Sequence, residues 1–224
     1  MPDGHRAGRL SARPGAHPAG APWPPGVHEL DPGGGAEVLL AVPAGEPGPK
    51  PLLVFFHGAG GRPRQSLEGV GRVAAQRGVA VLAPRSGAAT WDLIAGSVGR
   101  DVAVLDAALA QVAERLPVSG CAIGGFSDGA SYALSLGAAN GDLFGAVLAF
   151  SPGFAAPPAR VGRPRVRIVH GTEDRVLPVE PCGRRVAATF RAAGYEVAYE
   201  EFAGGHVVRP EDVVDALEWW SGPA

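Results

Sequence analysis

Three residues with the chemistry of an acyl-transfer site follow one another along the chain. Ser127 lies at the centre of a Gly-x-Ser-x-Gly pattern at residues 125–129, Asp174 comes later, and His206 follows it. A serine hydroxyl is a weak nucleophile near pH 7, so it needs a histidine to take its proton and a carboxylate to orient that histidine. The order serine, acid, histidine is the one expected when each residue follows a different strand of one sheet. The sequence therefore predicts Ser127, Asp174 and His206 as a catalytic triad.

A glycine-rich stretch, His57-Gly58-Ala59-Gly60-Gly61, follows the first central apolar run. Backbone amides in such a loop can face the negative oxygen that develops on a carbonyl under attack. We expect the N–H of Ala59 to be one donor, with that of Gly60 as the alternative. The N–H of Asp128 is the second expected donor, because it heads the helix after Ser127 and gains from the positive potential of a helix N-terminus.

Other residues compete for these roles. Glu173 is adjacent to Asp174 and could be the acid, although the Asp-x-Val-x-Pro turn favours Asp174. His57 and His170 each precede a glycine at a strand end and are expected to brace loops through hydrogen bonds, whereas His206 lies after the acid. Ser127 as an ordinary helix-capping serine is the remaining alternative.

The elements that would position these residues alternate between apolar runs and helical periodicity from Lys50 onward. Leu52–Phe56 and Val79–Ala83 have the composition of buried strands. Further strands are expected at residues 120–124, 146–150, 166–169 and 197–202, and helices at 65–77, 100–116, 128–139, 182–193 and 210–220. Residues 27–42 predict an antiparallel hairpin at a sheet edge. This pattern predicts an α/β fold with a mostly parallel central sheet and helices on both faces.

Composition limits the classes of protein to consider. The 224 residues suit one domain, which we expect at 27–224 after a Pro/Gly-rich, partly ordered arm at 1–26, where Trp23 would dock. Twenty Lys and Arg against 22 Asp and Glu, a net charge of −2, argue against nucleic acid as a partner. No apolar run is long enough to span a membrane, and no signal peptide is recognised, so a cytoplasmic location is expected. Cys121 and Cys182 are expected to be unpaired core thiols.

The chain resembles the α/β-hydrolase superfamily and, within it, the small phospholipase/carboxylesterase family. The matching pieces are VFFHGAGG, GGFSDGASYAL, VHGTEDRVLPV and GGH, which span residues 52–206. The resemblance implies an α/β-hydrolase fold; the proline-rich residues 151–164 leave room for a minimal cap or none. It also implies that Trp91 lines the acyl pocket, and Gly60 and Leu177 are further candidates for contact with substrate. Here Asp128 follows the serine where the family more often has Gln.

The expected activity is hydrolysis of carboxylic esters through an acyl-enzyme, with short-to-medium acyl groups or exposed esters of larger molecules as substrates. No cofactor and no metal are expected, because the triad needs none and no His/Asp cluster has metal-ligand spacing. The same triad would serve an acyl thioesterase, a lysophospholipase, or a polyester or feruloyl-type esterase. A hydrolase fold kept as a non-catalytic binding module is the alternative of another class. The expected partner is a small-molecule ester, and a homodimer is left open.

Overall fold

A computed structural model describes residues 3–222 and contains one eight-stranded sheet. The strands are β1 (Gly26–Leu30), β2 (Val38–Val42), β3 (Lys50–Phe56), β4 (Ala80–Pro84), β5 (Val118–Phe126), β6 (Phe144–Phe150), β7 (Arg165–Gly171) and β8 (Val197–Phe202). Their order across the sheet is β1-β2-β4-β3-β5-β6-β7-β8. β2 pairs antiparallel with both neighbours, and every pair from β4 to β8 is parallel. The predicted edge hairpin and mostly parallel sheet are confirmed.

Helices cover both faces of the sheet, as predicted. They are α1 (Asp3–Arg6), α2 (Pro63–Ser66), α3 (Arg72–Gln76), α4 (Arg100–Arg115), α5 (Asp128–Ala139), α6 (Arg185–Ala192) and α7 (Pro210–Ser221). Apolar side chains of α4, α5 and α6 form one buried cluster with the sheet, and those of α3 and α7 form another. Burial of apolar surface on both faces is what keeps the parallel strands out of water. Residues 151–164 contain neither helix nor strand, which agrees with a minimal cap.

The helix expected at 65–77 is helical in the structure but not uniformly α-helical. A π-helical turn, π1 (Leu67–Gly71), joins α2 to α3. Such turns insert an extra residue into a helix and are often found near functional sites. Hydrophobic periodicity does not reveal this turn, because Val70 and Ala74 are buried as in a regular helix. A second π turn (Glu180–Arg184) precedes α6.

The N-terminal arm packs against α4, α5 and the start of β5. Leu10 is buried, and its N–H donates to Asn140 Oδ1 at 2.9 Å. The Val118 N–H donates to Gly15 O at 2.9 Å, and the Arg115 guanidinium stacks over Trp23 at 4.6 Å. The expected docking of Trp23 is thus observed, whereas the division of the chain at residue 26 stays a prediction.

Two further expectations concern chemistry and membranes. Cys121 and Cys182 are unpaired and buried, as predicted, and burial raises the pKa of the Cys121 thiol to about 12. Within residues 3–222, no helix has both the length and the apolar character that crossing a membrane requires.

Candidate active site

Ser127 occupies a strained turn between β5 and α5. Its φ of 57° and ψ of −122° lie in a region that non-glycine residues rarely adopt. The Ser127 N–H donates to Phe150 O at 2.9 Å, which ties the turn to the end of β6. Strain of this kind concentrates at functional sites, where the surrounding structure holds the residue in place.

The two glycines of the Gly-x-Ser-x-Gly pattern are required by close backbone packing. A Cβ at Gly125 would overlap the backbone of Gly129, and a Cβ at Gly129 would overlap the carbonyl oxygen of Phe56. The turn therefore brings α5 directly against the end of β3, where the glycine-rich loop begins. This close approach explains the spacing of the pattern around Ser127 in physical terms.

His206 lies between Ser127 and Asp174 and contacts both. Its Nδ1 is 2.6 Å from Asp174 Oδ2, and its Nε2 is 2.9 Å from Ser127 Oγ. We assign the ring proton to Nδ1, because a carboxylate accepts and cannot donate. Nε2 then accepts from the Ser127 hydroxyl, which is the arrangement a general base requires.

Asp174 is buried and is held by backbone amides as well as by His206. Its Oδ1 accepts from the N–H groups of Val176 and Leu177 at 2.9 and 2.8 Å. Burial by itself would raise the pKa of Asp174. The amide of Leu177, the hydrogen bond and charge of His206, and the amide of Val176 outweigh burial and lower this pKa below its usual value. Asp174 is therefore ionised at neutral pH.

The competing residues are placed elsewhere. Glu173 is exposed, and Asp174 is the carboxylate that reaches His206. His57 donates from Nδ1 to Gly58 O at 2.7 Å and accepts the Ser86 N–H at Nε2, and burial lowers its pKa. His170 Nε2 donates to Leu177 O at 2.8 Å. The interpretation of His57 and His170 as loop braces is confirmed.

The glycine-rich loop lies against Ser127, since a Cβ at Gly58 would be 3.3 Å from Ser127 Cβ. The Gly60 N–H already donates to Ala89 O at 2.7 Å. The Ala59 N–H makes no hydrogen bond within residues 3–222, and Asp128 is the first residue of α5, where amides lack a partner within the helix. Between the two alternatives for the loop donor, Ala59 is the residue with a free amide.

Sequence reasoning missed two supporting contacts. The Thr90 hydroxyl donates to Asp128 Oδ2 at 2.6 Å and so fixes the side chain at the head of α5. The Phe126 ring packs on the His206 ring with centroids 4.6 Å apart. An apolar residue at the end of a strand gives no signal of such a contact, because it resembles every other core position.

The three residues expected to contact substrate differ in their positions. Trp91 is 1% exposed, stacks on Tyr132 at 5.0 Å and donates from Nε1 to His57 O at 2.9 Å. It belongs to the core beneath the loop, so its expected place in an acyl pocket is wrong. Leu177 is half-buried and acts through its backbone on Asp174. Gly60 lines a cavity of about 430 Å³ beside the glycine-rich loop.

The comparisons with known proteins bear on this arrangement. No protein-family model matches the chain, and no curated protein matches it. Solved structures do match over most of its length. Esterase PE8 shares 24% identity over 76% of this chain and 91% of that chain, with a TM-score of 0.63. A carboxylesterase from Mesorhizobium loti shares 18% over 84% and 95%, with a TM-score of 0.66.

An acyl-protein thioesterase 2 from Zea mays shares 18% identity over 81% of this chain and 96% of that chain, with a TM-score of 0.57. The chain has the α/β-hydrolase fold. The predicted fold class is thereby confirmed. In an α/β-hydrolase the nucleophile, the acid and the histidine follow separate strands in that order, and here they follow β5, β7 and β8. At these identities the likeness establishes the fold, and function must be argued from the site.

Proposed function

We propose that this α/β-hydrolase is a serine hydrolase that cleaves small-molecule carboxylic esters through an acyl-enzyme. The observation that carries the proposal is the continuous contact from Ser127 Oγ to His206 Nε2 at 2.9 Å and from His206 Nδ1 to Asp174 Oδ2 at 2.6 Å. The strained backbone of Ser127 and the free amide of Ala59 support it further.

In the first half-reaction the Ser127 hydroxyl attacks the ester carbonyl while its proton moves to His206 Nε2. The negative charge on the carbonyl oxygen is stabilised by the amides of Ala59 and Asp128, and loss of one such donor costs about 3 kcal/mol of barrier. Asp174 holds the imidazole in the required tautomer and stabilises imidazolium. The bond between the carbonyl carbon and the leaving oxygen then breaks, and His206 gives its proton to the departing alcohol.

The second half-reaction repeats these roles with water. His206 takes a proton from the water as its oxygen attacks the acyl carbon, and the same two amides carry the oxyanion. Collapse of this intermediate breaks the bond to Ser127 Oγ, and His206 returns the proton to the serine. The products are a carboxylic acid, an alcohol and the original enzyme, so no cofactor takes part.

The segment that follows β6 favours short or exposed esters as substrates. Residues 151–164 have no helix or strand that could enclose a long acyl chain. The thioesterase among the structural neighbours makes thioesters the second candidate substrate class. Lysophospholipids and polyester or feruloyl-type esters are open to the same chemistry.

A chain-length series tests the proposal and separates the classes. We expect C2 to C6 oxygen esters to be cleaved with higher kcat/KM than long-chain thioesters, and His206→Ala to be inactive on both. Higher kcat/KM on long thioesters would replace the esterase assignment by a thioesterase. Turnover by His206→Ala equal to that of the native protein would show that the triad does not act. Absence of turnover of any ester by the folded native protein would leave a binding module as the better description.

A further inference from the structure

An apolar cavity of about 430 Å³ begins at the glycine-rich loop and extends away from it between two helical segments. Gly58–Gly61 and Phe126 form its inner end. Val70 and Val73 line it from π1 and α3, and Val213 lines it from α7, with Val208 just before that helix. No Asp, Glu, Lys or Arg is among the described residues that line it. Its volume is within the range of sites that hold small organic ligands.

The π turn places a glycine at the wall of this cavity. Gly69, in π1, lines the cavity, and a Cβ built on it would have no other atom within 4 Å. Gly69 has no positive φ, so its backbone does not require glycine. Gly69 is exposed and lines the cavity, so a larger side chain at this position would reduce the accessible space there without distorting the chain.

The position of the cavity indicates which part of an ester it would hold. In the tetrahedral intermediate on Ser127 the oxyanion faces the Ala59 and Asp128 amides, and the leaving oxygen faces His206 Nε2. The cavity is bounded on one side by the loop that carries Ala59. On the other it is bounded by Phe126, whose ring packs on His206 at 4.6 Å, and by Val208. It thus borders both the loop that carries one expected oxyanion donor and the ring that packs on the general acid, which is where the alcohol portion leaves.

We propose that this cavity binds the alcohol portion of the ester and takes compact apolar alcohols, such as aryl or branched alkyl groups. The inference rests on the proposed serine hydrolase function. The valines and phenylalanines desolvate such a group without offering it an ion pair. The group leaves with the alcohol, so it contributes to acylation of Ser127 and not to hydrolysis of the acyl-enzyme.

The test compares two matched ester series. One keeps the acetyl group and changes the alcohol from methyl to benzyl, and the other keeps the methyl alcohol and changes the acyl group from acetyl to hexanoyl. In Gly69→Leu we expect the benzyl-to-methyl ratio of kcat/KM to fall by about tenfold or more, as expected when a hydrophobic pocket is blocked. The hexanoyl-to-acetyl ratio should stay within about twofold. Ala75→Leu, at an exposed position of α3 outside the cavity, is the matched control and should keep both native ratios.

Val73→Phe fills the cavity from a half-buried position and replaces Gly69→Leu if that variant fails to fold. A fall in the hexanoyl-to-acetyl ratio would assign the cavity to the acyl group, and unchanged ratios would show that the ester does not enter it. Either result overturns this inference alone. Labelling of Ser127 by a fluorophosphonate reports separately on the proposed function; its absence, together with absence of turnover in the native protein, would overturn both.

Discussion

Two clusters within residues 3–222 contain a serine, a histidine and an aspartate, but their hydrogen bonds differ. In the proposed active site His206 Nδ1 is 2.6 Å from Asp174 Oδ2. In the N-terminal arm His5 Nε2 is 2.8 Å from Asp106 Oδ2 on α4. The side chains are similarly shielded, at 15% and 0% exposure in the first pair and 12% and 8% in the second. A short, shielded histidine–aspartate contact therefore does not by itself distinguish the proposed triad from the cluster in the arm.

The serine distinguishes the two clusters. Ser127 Oγ contacts the histidine, whereas Ser11 Oγ donates to the carboxylate of Asp106 at 2.5 Å. Within residues 3–222 the Ser11 hydroxyl donates to no histidine, and the second ring nitrogen of His5 is buried without a partner. Asp106 also accepts the N–H groups of Ser11 and Ala12. The arm cluster, which comprises His5, Ser11 and Asp106, thus holds the arm against α4 through hydrogen bonds.

The largest expected difference between the clusters concerns the serines. Ser127→Ala should lower kcat for ester hydrolysis by about 10⁵-fold or more, because the nucleophile is lost and only the oxyanion donors remain. Ser11→Ala should leave kcat and KM at native values. Steady-state kinetics on a short-chain ester, with protein free of host esterases, measures both. Comparable loss in the two variants would show that the arm takes part in catalysis.

Substitution of Asp174 should affect catalysis, whereas substitution of Asp106 should affect stability. Asp174→Asn should lower kcat by about 10³- to 10⁴-fold, since the amide no longer selects the tautomer with its proton on Nδ1. Asp106→Asn should keep kcat and lower the free energy of unfolding by about 1 to 2 kcal/mol, because buried hydrogen bonds in the arm cluster are weakened. Kinetics and urea unfolding of both variants check this. Normal activity together with an equal loss of unfolding free energy in the two variants would contradict the difference between the two clusters.

Much of the active site could be predicted because local sterics and chain order determine it. Gly125 and Gly129 are needed wherever a serine turn packs against a neighbouring strand, and the pattern is readable in one dimension. Asp174 and His206 follow parallel strands, whose ends meet at one edge of the sheet. Apolar periodicity likewise predicted α4, because its buried residues, such as Leu105, Leu109 and Val112, recur at helical spacing.

The remaining features depend on contacts between segments distant in sequence. Trp91 lies in the core because the path of its loop brings it to Tyr132 and His57, and no local pattern records that path. The cavity beside the glycine-rich loop is a gap between Val70 and Val213, each of which has the sequence context of an ordinary core residue. The arm cluster joins residues about a hundred positions apart, so Asp106 gives no sign of His5.

The smallest expected effect is the response of the arm cluster to acid. Burial would raise the pKa of Asp106, but hydrogen bonds from Ala12, His5 and Ser11 outweigh it and lower this pKa. A lowered pKa in the folded state means that the cluster adds stability above the unfolded value of about 3.9 and loses it as the pH falls through the folded value.

Between about pH 5 and pH 3, the melting temperature of the native protein should therefore fall by a few degrees more than that of Asp106→Asn. Melting curves followed by circular dichroism across that range measure this difference. Other carboxylates, including Asp174, are common to both proteins, so the difference isolates Asp106. Parallel curves for the two proteins would contradict the assigned pKa direction.

Intact mass after incubation with a fluorophosphonate tests the central claim most directly, because the reagent reports an activated serine without any assumption about substrate. The native protein and Ser11→Ala should each gain one adduct, and Ser127→Ala should gain none. A single adduct that persists in Ser127→Ala, or no adduct on any of the three folded proteins, would contradict the assignment of Ser127 as the nucleophile.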